Sequence, residues 1–133
     1  MKKTSLVTGG MGFIGSHIVD QLIQLGHNVI VIDDMSAREN EKFYKNENAE
    51  NIIKDISRDD CLDYFKNVDY VFHLAARSRI QPTIGNPNEC FEVNVVGTQR
   101  VLEWSRVQSV ERVVYSGTSS LYGHQNAVPF QPN

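Results

Sequence analysis

The sequence predicts an α/β domain built on a doubly wound parallel sheet with strand order 3-2-1-4-5, and three observations carry that prediction. Short apolar runs alternate with stretches of helical periodicity. A glycine cluster follows the first run directly and opens the first helical stretch. The second run, Asn28-Val29-Ile30-Val31-Ile32-Asp33, is nearly continuous in its apolar residues, as suits a parallel strand covered on both faces.

Each element has its own signal. Thr4-Ser5-Leu6-Val7-Thr8 is short, rich in β-branched residues and stopped by glycine, which makes it the first strand. Phe13 to Leu25 places Ile14, Ile18, Leu22 and Leu25 at helical spacing, and Gly26 supplies the stop. Asn28–Asp33 is the second strand. Met35 to Glu50 is polar and charged, and reads as a loop with a short helix around Arg38–Lys45. Asn51-Ile52-Ile53-Lys54 is a third strand ending at Asp55, Asp59 to Lys66 a helix, and Val68 to Leu74 the fourth strand. Asn86 followed by Pro87 is a helix start, with a capping side chain and proline in the first turn; that helix runs to about Gln108. Arg112 to Ser116 is the fifth strand, and from Gly117 the chain reads as irregular, with Pro129 and Pro132 near its end. Right-handed crossovers between these strands select the doubly wound order. No internal repeat or low-complexity tract interrupts the pattern.

Composition narrows the class. At 133 residues, 41% hydrophobic and 22% charged, the chain is one domain long and has the make-up of an ordered globular protein. A net charge of -3, with scattered arginines, argues against nucleic acid as a partner, because phosphate tracking needs a clustered positive excess. Cys61 and Cys90 have no metal-ligand spacing, and two lone thiols behind no signal peptide read as reduced residues of a cytoplasmic protein. Met1-Lys2-Lys3 resembles a basic leader, but glycines break the apolar stretch that follows it. No apolar run approaches the ~18–20 residues of a membrane span. Neither a metal nor a membrane is expected.

The glycines carry the chemistry. In Thr8-Gly9-Gly10-Met11-Gly12-Phe13-Ile14-Gly15 the functional triplet is Gly9, Gly12 and Gly15, placed between a strand and a helix. A pyrophosphate needs backbone N–H groups pointing at it from a helix N-terminus, with no Cβ in the way. Gly9 permits the tight turn, Gly12 the close approach, and Gly15 the packing of helix on sheet. Asp33 ends the second strand, where an acid accepts both ribose hydroxyls of an adenosine and repels a 2′-phosphate. NAD is therefore expected over NADP; the alternative is a turn aspartate without a ligand. Arg38 is the residue that can favour NADP, although a loop arginine more commonly faces water.

The run from Thr8 to His17 resembles the opening of the extended short-chain dehydrogenase/reductase family, and within it the nucleotide-sugar epimerases. Four further segments match in order: Asp55-Ile56, His73-Leu74-Ala75-Ala76, Asn94-Val95-Val96-Gly97-Thr98, and Tyr115-Ser116-Gly117-Thr118-Ser119-Ser120-Leu121-Tyr122-Gly123. The resemblance implies a Rossmann-type NAD-binding domain over residues 1–133. It implies cofactor contacts at Gly9, Gly12, Phe13, Ile14, Gly15, Asp33, Asp34, Asp55, Ile56, Leu74, Ala75, Ala76, Asn94 and Ser116, with adenine beside Asp55 and Ile56. On the residues alone, Asn94 also reads as an exposed helix residue, Ala75 and Ala76 as packing, and Thr118 and Ser119 as turn hydroxyls. His73, in an apolar strand, reads as a satisfied core histidine.

By the same resemblance Thr118 is catalytic: its hydroxyl binds the sugar oxygen that loses a proton while hydride passes to the nicotinamide. The proton goes to a tyrosine acidified by a lysine four residues later. No such pair exists here, because Tyr44, Tyr64, Tyr70, Tyr115 and Tyr122 are followed at that distance by Asn48, Val68, Leu74, Ser119 and Asn126. The resemblance therefore implies an inactive N-terminal fragment, cut before the sixth strand and the sugar-nucleotide domain. Ser119 and Ser120 stand where related dehydratases carry acidic residues and decarboxylases usually a glutamate, so a UDP-sugar 4-epimerase leads over a decarboxylase, dehydratase or reductase. A stand-alone dinucleotide-binding module is the reading from another class. A homodimer or self-associating fragment is expected, through the edge of the fifth strand and through Val96, Val101 and Trp104 on the helix from Pro87.

Overall fold

The computed structural model describes residues 2–37 and 43–123. Five strands form one sheet: β1 (Thr4–Thr8), β2 (Asn28–Asp33), β3 (Glu50–Ile53), β4 (Tyr70–His73) and β5 (Arg112–Tyr115). Their order is β3-β2-β1-β4-β5, and every pairing is parallel, with Leu6 aligned to Ile30 on one side and Val71 on the other. The expected architecture is the observed one.

Side chains of successive strand residues point to opposite faces, and both faces of the central strands β2, β1 and β4 are covered. Val7, Val29 and Val31 pack with Met11, Val19 and Leu22 under helix α1 (Phe13–Gln24). Leu6, Ile32 and Val71 pack on the other face with Phe65, Val101 and Trp104. That two-sided burial is why the strands read as continuous apolar runs. At the N-terminal edge of the sheet, Lys3 pairs with Asp69 at 2.8 Å and Glu111 at 3.0 Å, and Asp69 also accepts the Thr4 N–H. These contacts join the lead-ins to β1, β4 and β5.

Helix α1 ends as glycine chemistry dictates. Gly26 adopts φ +84°, its N–H bonds the Ile23 carbonyl at 2.9 Å, and the His27 N–H bonds the Leu22 carbonyl at 3.0 Å. After β4 come α2 (Ile80–Gly85), α3 (Pro87–Phe91), a π-helical segment (Glu92–Gly97) and α4 (Thr98–Val107). Asn86 caps α3 by accepting the Glu89 N–H at 3.3 Å, with Pro87 in the first turn.

Several expectations need correction. The helix expected over Asp59–Lys66 is a single 3-10 turn, Leu62–Phe65, because Phe65 and Cys61 turn inward and leave a short polar surface. The helix of the 35–50 loop falls partly outside the described residues, and Phe43–Asn46 form no helix. The irregular tail contains a 3-10 turn, Ser119–Tyr122; residues 124–133, including Pro129 and Pro132, lie outside the described residues. Helix α2 was not anticipated, since one i, i+4 pair, Ile80 and Ile84, around Pro82 in six residues is too short a pattern to read as a helix.

The largest correction concerns the outer face of the helix from Pro87 to Val107. Val101 and Trp104 are buried, not outward. The inward stripe is Val93, Gly97, Val101 and Trp104, and the Trp104 ring lies 5.5 Å from that of Phe65. Val96 is half-buried, and the exposed apolar residues are instead Phe91, Val95, Leu102 and Val107.

Candidate functional site

Because all five strands run parallel, their C-terminal ends share one edge, and every segment singled out from the sequence emerges there or is tied to it. β1 leads into the glycine turn, β2 into Asp33 and Asp34, β3 towards Asp55, β4 into Leu74–Ala76, and β5 into Ser116–Thr118.

The glycine turn is packed too tightly for side chains. A Cβ on Gly15 would stand 2.1 Å from the Gly9 carbonyl oxygen, and one on Gly9 would stand 2.8 Å from the Ala75 nitrogen. Gly12 differs: a Cβ there meets only the Gly9 oxygen, at 3.4 Å, so its bareness leaves room outside the chain. Gly12 is also the N-cap residue of α1, and no side chain caps that end. The first turn, with Phe13 and Ile14, therefore presents backbone N–H groups and the positive end of a 12-residue helix to the edge where an anion fits. The Phe13 and Ile14 side chains are exposed.

Asp33 is braced against this turn. Its Oδ2 accepts the Met11 N–H at 3.0 Å and its Oδ1 the Met35 N–H at 2.8 Å. Burial raises its pKa above the usual carboxylate value, and the two N–H bonds oppose that rise. Each carboxylate oxygen keeps a lone pair for a further donor. The bare glycine turn, the uncapped helix and this carboxylate together fit the pyrophosphate and adenosine ribose of a dinucleotide.

Other site candidates are engaged within the chain. Asp34 accepts from the N–H of Ser36 at 3.0 Å and from its hydroxyl, and pairs with Arg77. Asp55 accepts from the Ser57 N–H at 2.8 Å and from its hydroxyl at 2.6 Å. Ile56 is buried, with its side chain packed against Gly97. Asn94 sits in the π-helical segment, where its amide oxygen accepts the Arg77 N–H at 2.7 Å and its amide nitrogen donates to the Arg77 carbonyl at 3.0 Å. A side chain that mimics a strand partner in this way explains an asparagine in mid-helix, and π-helical insertions gather at functional sites. Ala76, Ser116 and Thr118 are exposed, and Thr118 Oγ1 accepts the Ser120 N–H at 3.2 Å.

His73 is the satisfied core histidine expected. It is buried, Nδ1 lies 2.6 Å from Thr8 Oγ1, and Nε2 lies 2.8 Å from Thr98 Oγ1. Thr8 Oγ1 already accepts from the N–H groups of Leu74 and Ala75 at 3.2 and 3.3 Å, so its own proton goes to Nδ1. Nε2 then carries the ring proton and donates to Thr98. Burial lowers the ring pKa to about 4, which keeps it neutral.

Reading the sequence missed Ser36, Arg77 and the Thr8–His73–Thr98 chain, all of which depend on partners more than 20 residues away. Among the described residues no group of His, Cys, Asp or Glu is placed to hold a metal, and no helix is long and apolar enough to cross a membrane.

Residues 5–133 match the model of the NAD dependent epimerase/dehydratase family. A putative UDP-glucose 4-epimerase of Methanocaldococcus jannaschii is 38% identical over 132 residues, covering 96% of this chain and 42% of that protein. An epimerase structure from Methanothermobacter thermautotrophicus superposes with a TM-score of 0.88 at 39% identity, over 98% of this chain and 40% of that one. The structure of MoeE5 in complex with UDP-glucuronic acid and NAD follows at 0.81 and 36% identity, over 94% and 40%. The chain thus spans about two fifths of the length of the relatives it matches.

Proposed function

The chain belongs to the NAD dependent epimerase/dehydratase family, and from that premise we propose that it is the NAD-binding part of a UDP-sugar 4-epimerase. The observation that carries the reading is the Asp33 carboxylate, braced by the Met11 N–H beside a bare, uncapped helix N-terminus. NAD supplies reversible hydride acceptance when bound. The first turn of α1 holds the pyrophosphate through backbone N–H groups, and Asp33 accepts from the adenosine ribose. Asp55 and Ile56 border the adenine, while Leu74, Ala75, Ala76, Asn94 and Ser116 line the path towards Thr118. The Thr118 hydroxyl binds the reacting sugar oxygen, and Ser119 and Ser120, lacking carboxylates, favour epimerase over dehydratase or decarboxylase chemistry.

The 133 residues hold no tyrosine with a lysine four positions on, so they contain no acidified phenol to take the sugar proton. Incubated with UDP-galactose and NAD, the chain by itself is expected to leave the sugar unchanged, whereas the product of the whole reading frame yields UDP-glucose. Turnover by the 133 residues, or none by the whole product, refutes the proposal. Cofactor choice is a second test. Calorimetric titration is expected to give NADP an affinity about tenfold or more below that of NAD, and Asp33→Ala to narrow the gap. Equal affinities for the unsubstituted chain would place the ribose elsewhere. Self-association belongs to the same proposal: the apolar face of Phe91, Val95 and Leu102 and the open side of β5 are surfaces for a second copy.

A further inference from the structure

Arg77 lies four residues past the end of β4, and its guanidinium serves side chains from two other parts of the chain. Nη2 donates to Asp34 Oδ2 at 3.3 Å and lies 3.0 Å from Glu89 Oε1; Nε donates to the same Glu89 oxygen at 3.1 Å; Nη1 donates to Ser36 Oγ. Asp34 and Ser36 follow β2, and Glu89 stands in the first turn of α3. Both ends of Arg77 are fixed, because Asn94 grips its main-chain N–H and carbonyl. The side chains of Arg77 and Asp34 are each only about a quarter exposed, so the pair is partly shielded from solvent.

Topology says what this link crosses. β2 and β4 are not neighbours; each flanks β1, whose end is the glycine turn. A connection from past β4 to past β2, on the C-terminal edge, therefore spans the end of β1. That is the edge onto which the uncapped N-terminus of α1 opens. The charges fit the same placement: Asp33, Asp34 and Glu89 bring three carboxylates to this edge, and Arg77 is the cation set between the last two. Without it, two carboxylates face an incoming pyrophosphate. The planar guanidinium reaches all three partners at once, which an ammonium does not do.

We propose that Arg77 is a positioning residue for the dinucleotide: it straps the loop after β2 to α3 across the end of β1 and sets how long the ligand stays. The proposal rests on the dinucleotide reading above. Displacement of bound NADH by excess NAD, followed by nicotinamide fluorescence in a stopped-flow mixer, gives the dissociation rate of the full chain. Arg77→Met is expected to raise it about tenfold or more, and Arg77→Lys to recover part of the loss. Asp34→Asn raises it by the same route, and the double substitution releases NADH no faster than Arg77→Met alone. Circular dichroism melts accompany each variant, and Asp34→Asn carries the test should Arg77→Met not fold.

A merely structural Arg77 lowers the melting temperature and leaves the dissociation rate within about twofold, which would overturn the strap alone. Additive effects of the two substitutions would overturn it equally. Failure of the unsubstituted chain to bind NADH would overturn the cofactor reading, and the strap with it.

Discussion

In β1 and β2, Leu6 and Ile32 are wholly excluded from solvent, whereas in β5 Val114 is 45% and Tyr115 60% exposed. The two sides of one sheet thus differ in how much of their own cover they carry. The β1–β2 side is closed by α1 beneath and by Phe65, Val101 and Trp104 above, and its loops are tied to one another through Asp33, Asp34 and Ser36. Among the described residues, the β5 side offers Ser116 and Thr118 to solvent on a strand with one paired edge. The loops to which the proposed function assigns the cofactor are therefore held by packing internal to these residues. The β5 side still has surface for another segment or another chain to cover.

Filling the closed side is expected to cause the largest effect. Gly15→Ala puts a methyl group 2.1 Å from the Gly9 carbonyl, so the turn must move; a loss of roughly 3 kcal/mol in stability is expected, together with loss of NAD binding. Gly26→Ala is the contrast: its position has φ +84° with nothing near the added methyl, so the cost is only about 1 kcal/mol of backbone strain, and NAD binding persists. Urea denaturation with calorimetric titration decides, and a Gly15→Ala chain that binds NAD normally would break the comparison.

Acid comes next, again on the closed side. His73 titrates near 4 when folded, against an ordinary value of 6.5, so the unfolded chain takes up the proton first as pH falls. Its contribution to stability is complete above about 6.5 and is lost progressively down to about 4. Between roughly pH 7 and pH 5 the expected loss is about 2 kcal/mol. Asp33 acts in the opposite sense: its raised pKa lets the folded state take up a proton more readily than the unfolded chain, which returns some stability at lower pH. Urea midpoints at the two pH values measure the net change, and an unchanged midpoint would mean that water reaches the His73 ring.

The smallest effect belongs to the open side. Light scattering at micromolar concentration is expected to show a weak dimer or larger species, because Phe91, Val95, Leu102 and the Val114–Tyr115 edge offer apolar surface and strand groups unpaired among the described residues. Leu102→Glu should shift the population towards monomer. A monodisperse monomer would mean that the β5 side is covered from within the chain.

What the sequence determined by itself was the sheet, its order, the glycine turn and the place of Asp33. Those features depend on neighbours in the chain: continuous apolar runs announce parallel strands with two covered faces, and a strand–glycine–helix succession constrains its own backbone. The end of α1 at Gly26 and the cap at Asn86 were legible for the same reason. Only the tertiary structure decided which face of the Pro87–Val107 helix turns inward. Apolar residues lie on both sides of it, and contact with Phe65 selects Val101 and Trp104 over Val95 and Leu102. It likewise decided that Arg77 joins Asp34, Ser36 and Glu89, and that His73 links Thr8 to Thr98. Polar side chains such as these have no period to betray them; each finds its partner only after the strands have brought distant segments to one edge, where leaving a buried donor or charge unpaired costs more than ordering the side chains that satisfy it.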